Sequence, residues 1–151
     1  MKTKAIIAIA IIISAALMAT RVPTNIDTEQ FKEGKYIHVD NLIITFDKTD
    51  ANVNIQYHLS PFAEVYIFLF GSKHMEPKIK EIFFDFENVE IQTIGRDSAT
   101  IQIKNISRQS EESYLHDSHE LGIQPDMLTI VYPDGTRRNY EYAQTTPNIF
   151  Y

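Results

Sequence analysis

Hydrophobic and polar positions along the chain follow two different periods. Leu42, Ile44 and Phe46 alternate with other residues, and after Lys48-Thr49-Asp50-Ala51 the set Val53, Ile55, Tyr57 and Leu59 alternates with Asn52, Asn54, Gln56 and His58. A period of two sends successive side chains to opposite faces of a pleat, so these runs predict two paired strands with one dry and one wet face. Tyr36 to Val39 predicts a third, shorter strand. Val89, Ile91 and Thr93, the turn Gly95-Arg96-Asp97-Ser98, then Ala99, Ile101 and Ile103 spell a second hairpin. A third is marked by Tyr132-Pro133-Asp134-Gly135-Thr136, with Leu128 and Ile130 leading in and Tyr140 and Tyr142 leading out. Proline presets φ there, and glycine accepts the positive φ the turn requires.

The helical period appears between these strands. Met75, Ile79, Ile82, Phe83 and Phe86 fall on one stripe of a 3.6-residue helix, with Lys78, Lys80, Glu81 and Asp85 pointing away. The opposite face carries both signs of charge, which favours a stripe packed on a sheet over one lying on a membrane. Before it, Ser60-Pro61 provides an N-cap and a first-turn proline, and Gly71 a stop, so Val65 to Phe70 predicts a helix. That stretch has no polar face and is rich in aromatics, which leaves a buried strand as the alternative. It is too short to span a bilayer. A further helix is expected between Ser107 and Leu121, stopped by Gly122.

Three hairpins and two or three helices without regular strand-helix alternation predict an α+β domain: a mainly antiparallel sheet with the helices on one face. An N-terminal transmembrane helix is expected to precede it. From Ala5 to Thr20, sixteen residues carry no charge and are mostly apolar, and burying charge or unpaired peptide groups in hydrocarbon is costly. The run follows Lys2 and Lys4 and reads as an uncleaved signal-anchor. A secreted form, cleaved after Ser14-Ala15-Ala16, is the alternative. The expected division is a membrane segment over residues 1–22, a polar linker over 23–34, the domain over 35–144 and a tail over 145–151. The domain is expected outside the cytoplasm.

Composition narrows the chemistry. Without Lys2, Lys4 and Arg21, 11 of the 14 basic residues remain against 20 acidic ones, a balance of −9 that repels phosphate backbones and excludes nucleic acid as an expected partner. The chain has no cysteine, so disulfides, thiolate metal sites and thiol catalysis are excluded. With five glycines and no Gly-x-Ser-x-Gly elbow, neither a phosphate-cradling loop nor a serine-hydrolase site is present.

One segment concentrates ligand-type groups, Glu111 to Glu120. On a helix, Glu112, His116 and His119 share a face, and imidazoles with a carboxylate suit zinc or another divalent metal. No glutamate directly follows His116, so the zinc-peptidase helix pattern is not met. His38, His58 and His74 read as a strand residue, a wet-face residue and a loop residue. The tail over 145–151 ends in Ile149, Phe150 and Tyr151, which either dock into the domain or serve as a recognition tail for a protein partner. The reading that follows is a membrane-anchored binding or structural domain without catalysis. Its alternative is a divalent-metal-dependent hydrolase using Glu112, His116 and His119.

Overall fold

Ile37–Asp47 forms one long strand, β1, where the alternation suggested two shorter ones. The computed structural model describes residues 36–151. The expected membrane segment over 1–22 and the linker over 23–34 lie outside the described residues. Strand β1 pairs antiparallel with β2, Asp50–Leu59, around the turn at Lys48 and Thr49. Its interruption is a β-bulge: Val39 faces Tyr57 whereas Asn41 faces Gln56, leaving Asp40 as an extra residue. The bulge restores the inward aim of Val39 and Ile37, which the two polar residues Asp40 and Asn41 would otherwise put out of phase with Leu42.

The other two expected hairpins are present as β3, Val89–Ile94, with β4, Ser98–Ile103, and, after a pair of shorter strands, β7, Met127–Val131, with β8, Arg137–Glu141. Gly135 takes a φ of +84° in the β7–β8 turn, as its place after Pro133-Asp134 requires. These strands assemble into a six-stranded sheet in the order β3-β4-β2-β1-β7-β8. All its pairings are antiparallel except β1 with β7. In register across five strands lie Ile130, Ile44, Val53, Ile101 and Ile91, and beside them Leu128, Leu42, Ile55, Ala99 and Ile94. These rows line the buried face of the sheet.

Two helices cover part of that face. Helix α1, Pro61–Phe70, is capped by the Ser60 hydroxyl, which accepts from the Ala63 amide at 3.4 Å, and it stops at Gly71, whose φ is +91°. A 3₁₀ turn over Ser72–Met75 leads into α2, Glu76–Ile82. The predicted stripe is buried along its whole length at Met75, Ile79, Ile82, Phe83 and Phe86, although the helix ends at Ile82 and tight turns carry the last two phenylalanines. The result is a mixed α+β domain, mostly sheet with two helices.

The helix expected between Ser107 and Leu121 is absent. Arg108–Ser110 and Ser113–His116 form β5 and β6, a small hairpin whose turn holds Glu111 at a φ of +54°. Its apolar residues, Tyr114, Leu115 and Leu121, make no continuous stripe, so a helix there would have had no face to bury. A third strand, β9, Ile149–Phe150, pairs with β6 and completes a three-stranded sheet in the order β5-β6-β9. This layer closes the core beyond β1: the Phe46 ring packs 4.9 Å from His116 and 5.4 Å from Tyr151.

Ile149 is buried while Phe150, its neighbour on β9, is 70% exposed. Ile149→Ala is therefore expected to lower unfolding free energy by about 2–5 kcal/mol, and Phe150→Ala by no more than about 0.5 kcal/mol. Urea unfolding of the two variants checks this, and equal losses would refute the β9 pairing. In the same assay Gly122→Ala should cost about 1–3 kcal/mol or more, because a Cβ there collides with the backbone carbonyl of Glu81.

Candidate functional site

Helix α1 buries Ala63 and Ile67 and little else. Phe62, Val65, Leu69 and Phe70 are exposed, Tyr66 is 42% exposed, and Phe68 reaches 81%. Glu64 is the one charged residue in the helix. A helix so nearly apolar on all sides normally belongs in a protein core or a membrane, and here most of its large apolar side chains are exposed. Its position in the fold is specific. The Ser60 amide donates to the Tyr36 carbonyl at 3.0 Å and the Tyr36 ring lies 6.4 Å from that of Phe62, so α1 starts beside the point where the chain enters the domain.

The residues singled out by spacing occupy three different settings. His116, on β6, is fully buried. Its Nδ1 lies 3.1 Å from the Ile106 carbonyl and its Nε2 3.0 Å from the Thr146 hydroxyl. A carbonyl only accepts, so Nδ1 carries the proton. Thr146 Oγ1 accepts from the His119 amide at 2.9 Å and gives its own proton to Nε2. Both ring nitrogens are thereby engaged in holding three segments together. Burial is the main cause lowering the His116 pKa, with His119 acting in the same direction against the pull of the Ile106 carbonyl.

His119 donates from Nδ1 to the Asp85 carbonyl at 3.0 Å and lies over Phe86 at 4.6 Å. Its ring is 5.4 Å from that of His116, so the fold does bring these two imidazoles together. Glu112 is not with them: it sits exposed in the β5–β6 turn, on the rim of a cleft. That cleft, about 580 Å³, is walled by Tyr114, Tyr132, Phe150 and Tyr151, with Arg138 over the Tyr132 ring at 5.5 Å. Tyr151 is held there by its hydroxyl, which donates to the Lys48 carbonyl at 2.7 Å and lies 2.9 Å from the Ser107 hydroxyl. Of the three residues Ile149, Phe150 and Tyr151, the first belongs to the core and the other two shape this cleft.

Spacing along the chain missed a different cluster. His38 and His58 face each other across the β1–β2 pair, their rings 4.7 Å apart. Asp40 Oδ1 lies 2.9 Å from His58 Nδ1 and 3.9 Å from His38 Nε2. Asp126, just before β7, places Oδ2 3.0 Å from His38 Nε2. His38, Asp40 and His58 each offer one ligand atom within 4.8 Å of the others, the single such group found among the described residues. The signal for it was the pair of polar residues Asp40-Asn41, which breaks the alternation and marks the bulge.

The lowered pKa of His116 sets a pH dependence. The unfolded imidazole takes a proton near pH 6.5 while the buried one does not, so the unfolded chain binds more protons below that pH. Stability from neutral His116 is full above about pH 6.5 and is lost as pH falls toward the lowered folded value. Urea midpoints between about pH 7.5 and 5 should decline in the native chain and decline less steeply in His116→Gln, which is less stable throughout; parallel curves would refute this role. Comparison of the chain with protein-family models, curated proteins and solved structures finds no match.

Proposed function

We propose that this is a small single-pass membrane protein whose α+β domain stands outside the cytoplasm, carries out no catalysis, and binds the lipid surface through α1. The observation that carries the reading is the exposed apolar helix located where the chain enters the domain. The fifteen residues between Thr20 and Tyr36 span at most about 58 Å even when fully extended. An anchor at Ala5 to Thr20 therefore keeps α1 within reach of the bilayer that holds it. Each large apolar side chain moved fully from water into hydrocarbon contributes about 1.5–3 kcal/mol. For a domain already tethered, the second contact is intramolecular, so a few partly inserted side chains suffice.

The composition of α1 agrees with an interfacial position. Phenylalanine, tyrosine and leucine are the residues that settle at the boundary between headgroups and acyl chains. Among the described residues no helix is long and apolar enough to cross a membrane, which leaves α1 to lie on the surface rather than through it.

The absence of cysteine makes a direct measurement simple. In the full chain reconstituted into vesicles, a nitroxide on Phe68→Cys should be accessible to dissolved oxygen and protected from a water-soluble nickel reagent. One on Gln102→Cys, on the wet face of β4, should show the reverse. Nickel access at both positions would refute the docking, and protection of position 68 from both quenchers would show that a second copy of the chain covers α1 instead.

A further inference from the structure

We infer that His38, Asp40, His58 and Asp126 bind one divalent cation of the zinc class on the uncovered face of the sheet. The donor set selects the ion: two imidazoles with carboxylates suit zinc, nickel or copper, whereas calcium and magnesium favour all-oxygen shells. Tetrahedral bonds of about 2.0–2.1 Å separate neighbouring ligand atoms by about 3.3 Å. The observed separations bracket that value, at 2.9 Å for His58 Nδ1 with Asp40 Oδ1, 3.0 Å for His38 Nε2 with Asp126 Oδ2 and 3.9 Å for His38 Nε2 with Asp40 Oδ1. His38, Asp40 and His58 already offer donors within 4.8 Å of one another, and Asp126 adjoins the group through His38.

The backbone beneath them is well held. His38 and His58 are paired across a strand ladder, and Asp40 is the bulge residue between β1 and β2. The Asp126 amide donates to the Val39 carbonyl at 3.0 Å, and its own carbonyl accepts from Tyr142 at 3.1 Å. The four side chains are 40–64% exposed, so a hydrated ion reaches them without opening the fold. Asp40 and Asp126 bring two carboxylates beside the imidazoles, charge that a divalent cation would offset. Simple ion pairing between exposed groups is worth about 0–1 kcal/mol and does not by itself explain two imidazoles and a carboxylate converging within 4.8 Å. A bound ion would join the bulge, the end of β2 and the segment before β7. The proposal does not depend on whether α1 meets lipid.

The test is titration of the metal-stripped full chain, in detergent micelles, with zinc alone and with cobalt as its spectroscopic substitute. One zinc per chain, intense visible bands from tetrahedral cobalt, and a raised melting temperature are expected. His38→Ala and His58→Ala should each weaken binding by at least about tenfold, the loss typical of even an outer contact to a metal site. Both positions are exposed, and circular dichroism would confirm folding. His119→Ala should bind zinc as the native chain does. Absence of stoichiometric zinc, or binding that survives His38→Ala and His58→Ala, would overturn the proposal.

Discussion

A six-stranded sheet that hides one face and wets the other depends on whatever covers the dry side. Here the rows through Ile44, Val53 and Ile101 and through Leu42 and Ile55 are covered by parts of unequal contribution. The α2 region supplies Met75, Ile79, Ile82, Phe83 and Phe86, all buried, and the small sheet supplies His116, Ile149 and part of Tyr151. Helix α1 supplies Ala63 and Ile67. At about 1.5–3 kcal/mol for each large side chain removed from water, α2 is held mainly by packing while α1 is held lightly. The same accounting leaves most of the apolar surface of α1 without a use inside the domain, which is why its exposed face is the natural place to look for function.

How much of this was legible depends on how local each cause is. The hairpins β1–β2, β3–β4 and β7–β8 could be read because their turns and alternation lie within about twenty residues of sequence. The ends of α1 were legible for the same reason, in Ser60, Pro61 and Gly71. The parallel pairing of β1 with β7 joins Leu42 to Leu128, and no local signal speaks for it. The residues of β5–β6 argue only against a helix, for want of an apolar stripe, and nothing local in them points to the strand they pair with. What decides it is remote: His116 pairs with Ile149, and Thr146 bonds both the His116 ring and the His119 amide.

The candidate site shows the same division more sharply. Helical spacing would put Glu112, His116 and His119 on one face, and without the helix Glu112 parts from the two imidazoles, which stay 5.4 Å apart. His116 instead became a structural residue, identified by two hydrogen bonds rather than by its spacing. Its partner Thr146 carried no signal in the sequence at all. His38 and His58 are the strand residue and the wet-face residue that the sequence suggested, but their convergence was not legible. Counting back from the Asp47–Asp50 pair without interruption puts His38 opposite Leu59 and His58 opposite Val39, on opposite faces. One extra residue, Asp40, restores both to the same face.

That single residue ties the core to the polar cluster. Without a bulge, aligning Leu42, Ile44 and Phe46 with the dry face would turn Ile37 and Val39 to water and His38 inward. With it, Ile37, Val39, Tyr57 and Leu59 all point into the core, and the residues between them, His38 and His58, must point out. The extra residue itself carries the carboxylate that lies between the two imidazoles. Strand parity therefore separates this end of the domain into a dry side, on which α1 begins after Leu59, and a wet side bearing the histidine and aspartate donors. The insertion that completes the core is the same one that assembles the cluster, so neither could be altered by shifting β1 without disturbing the other.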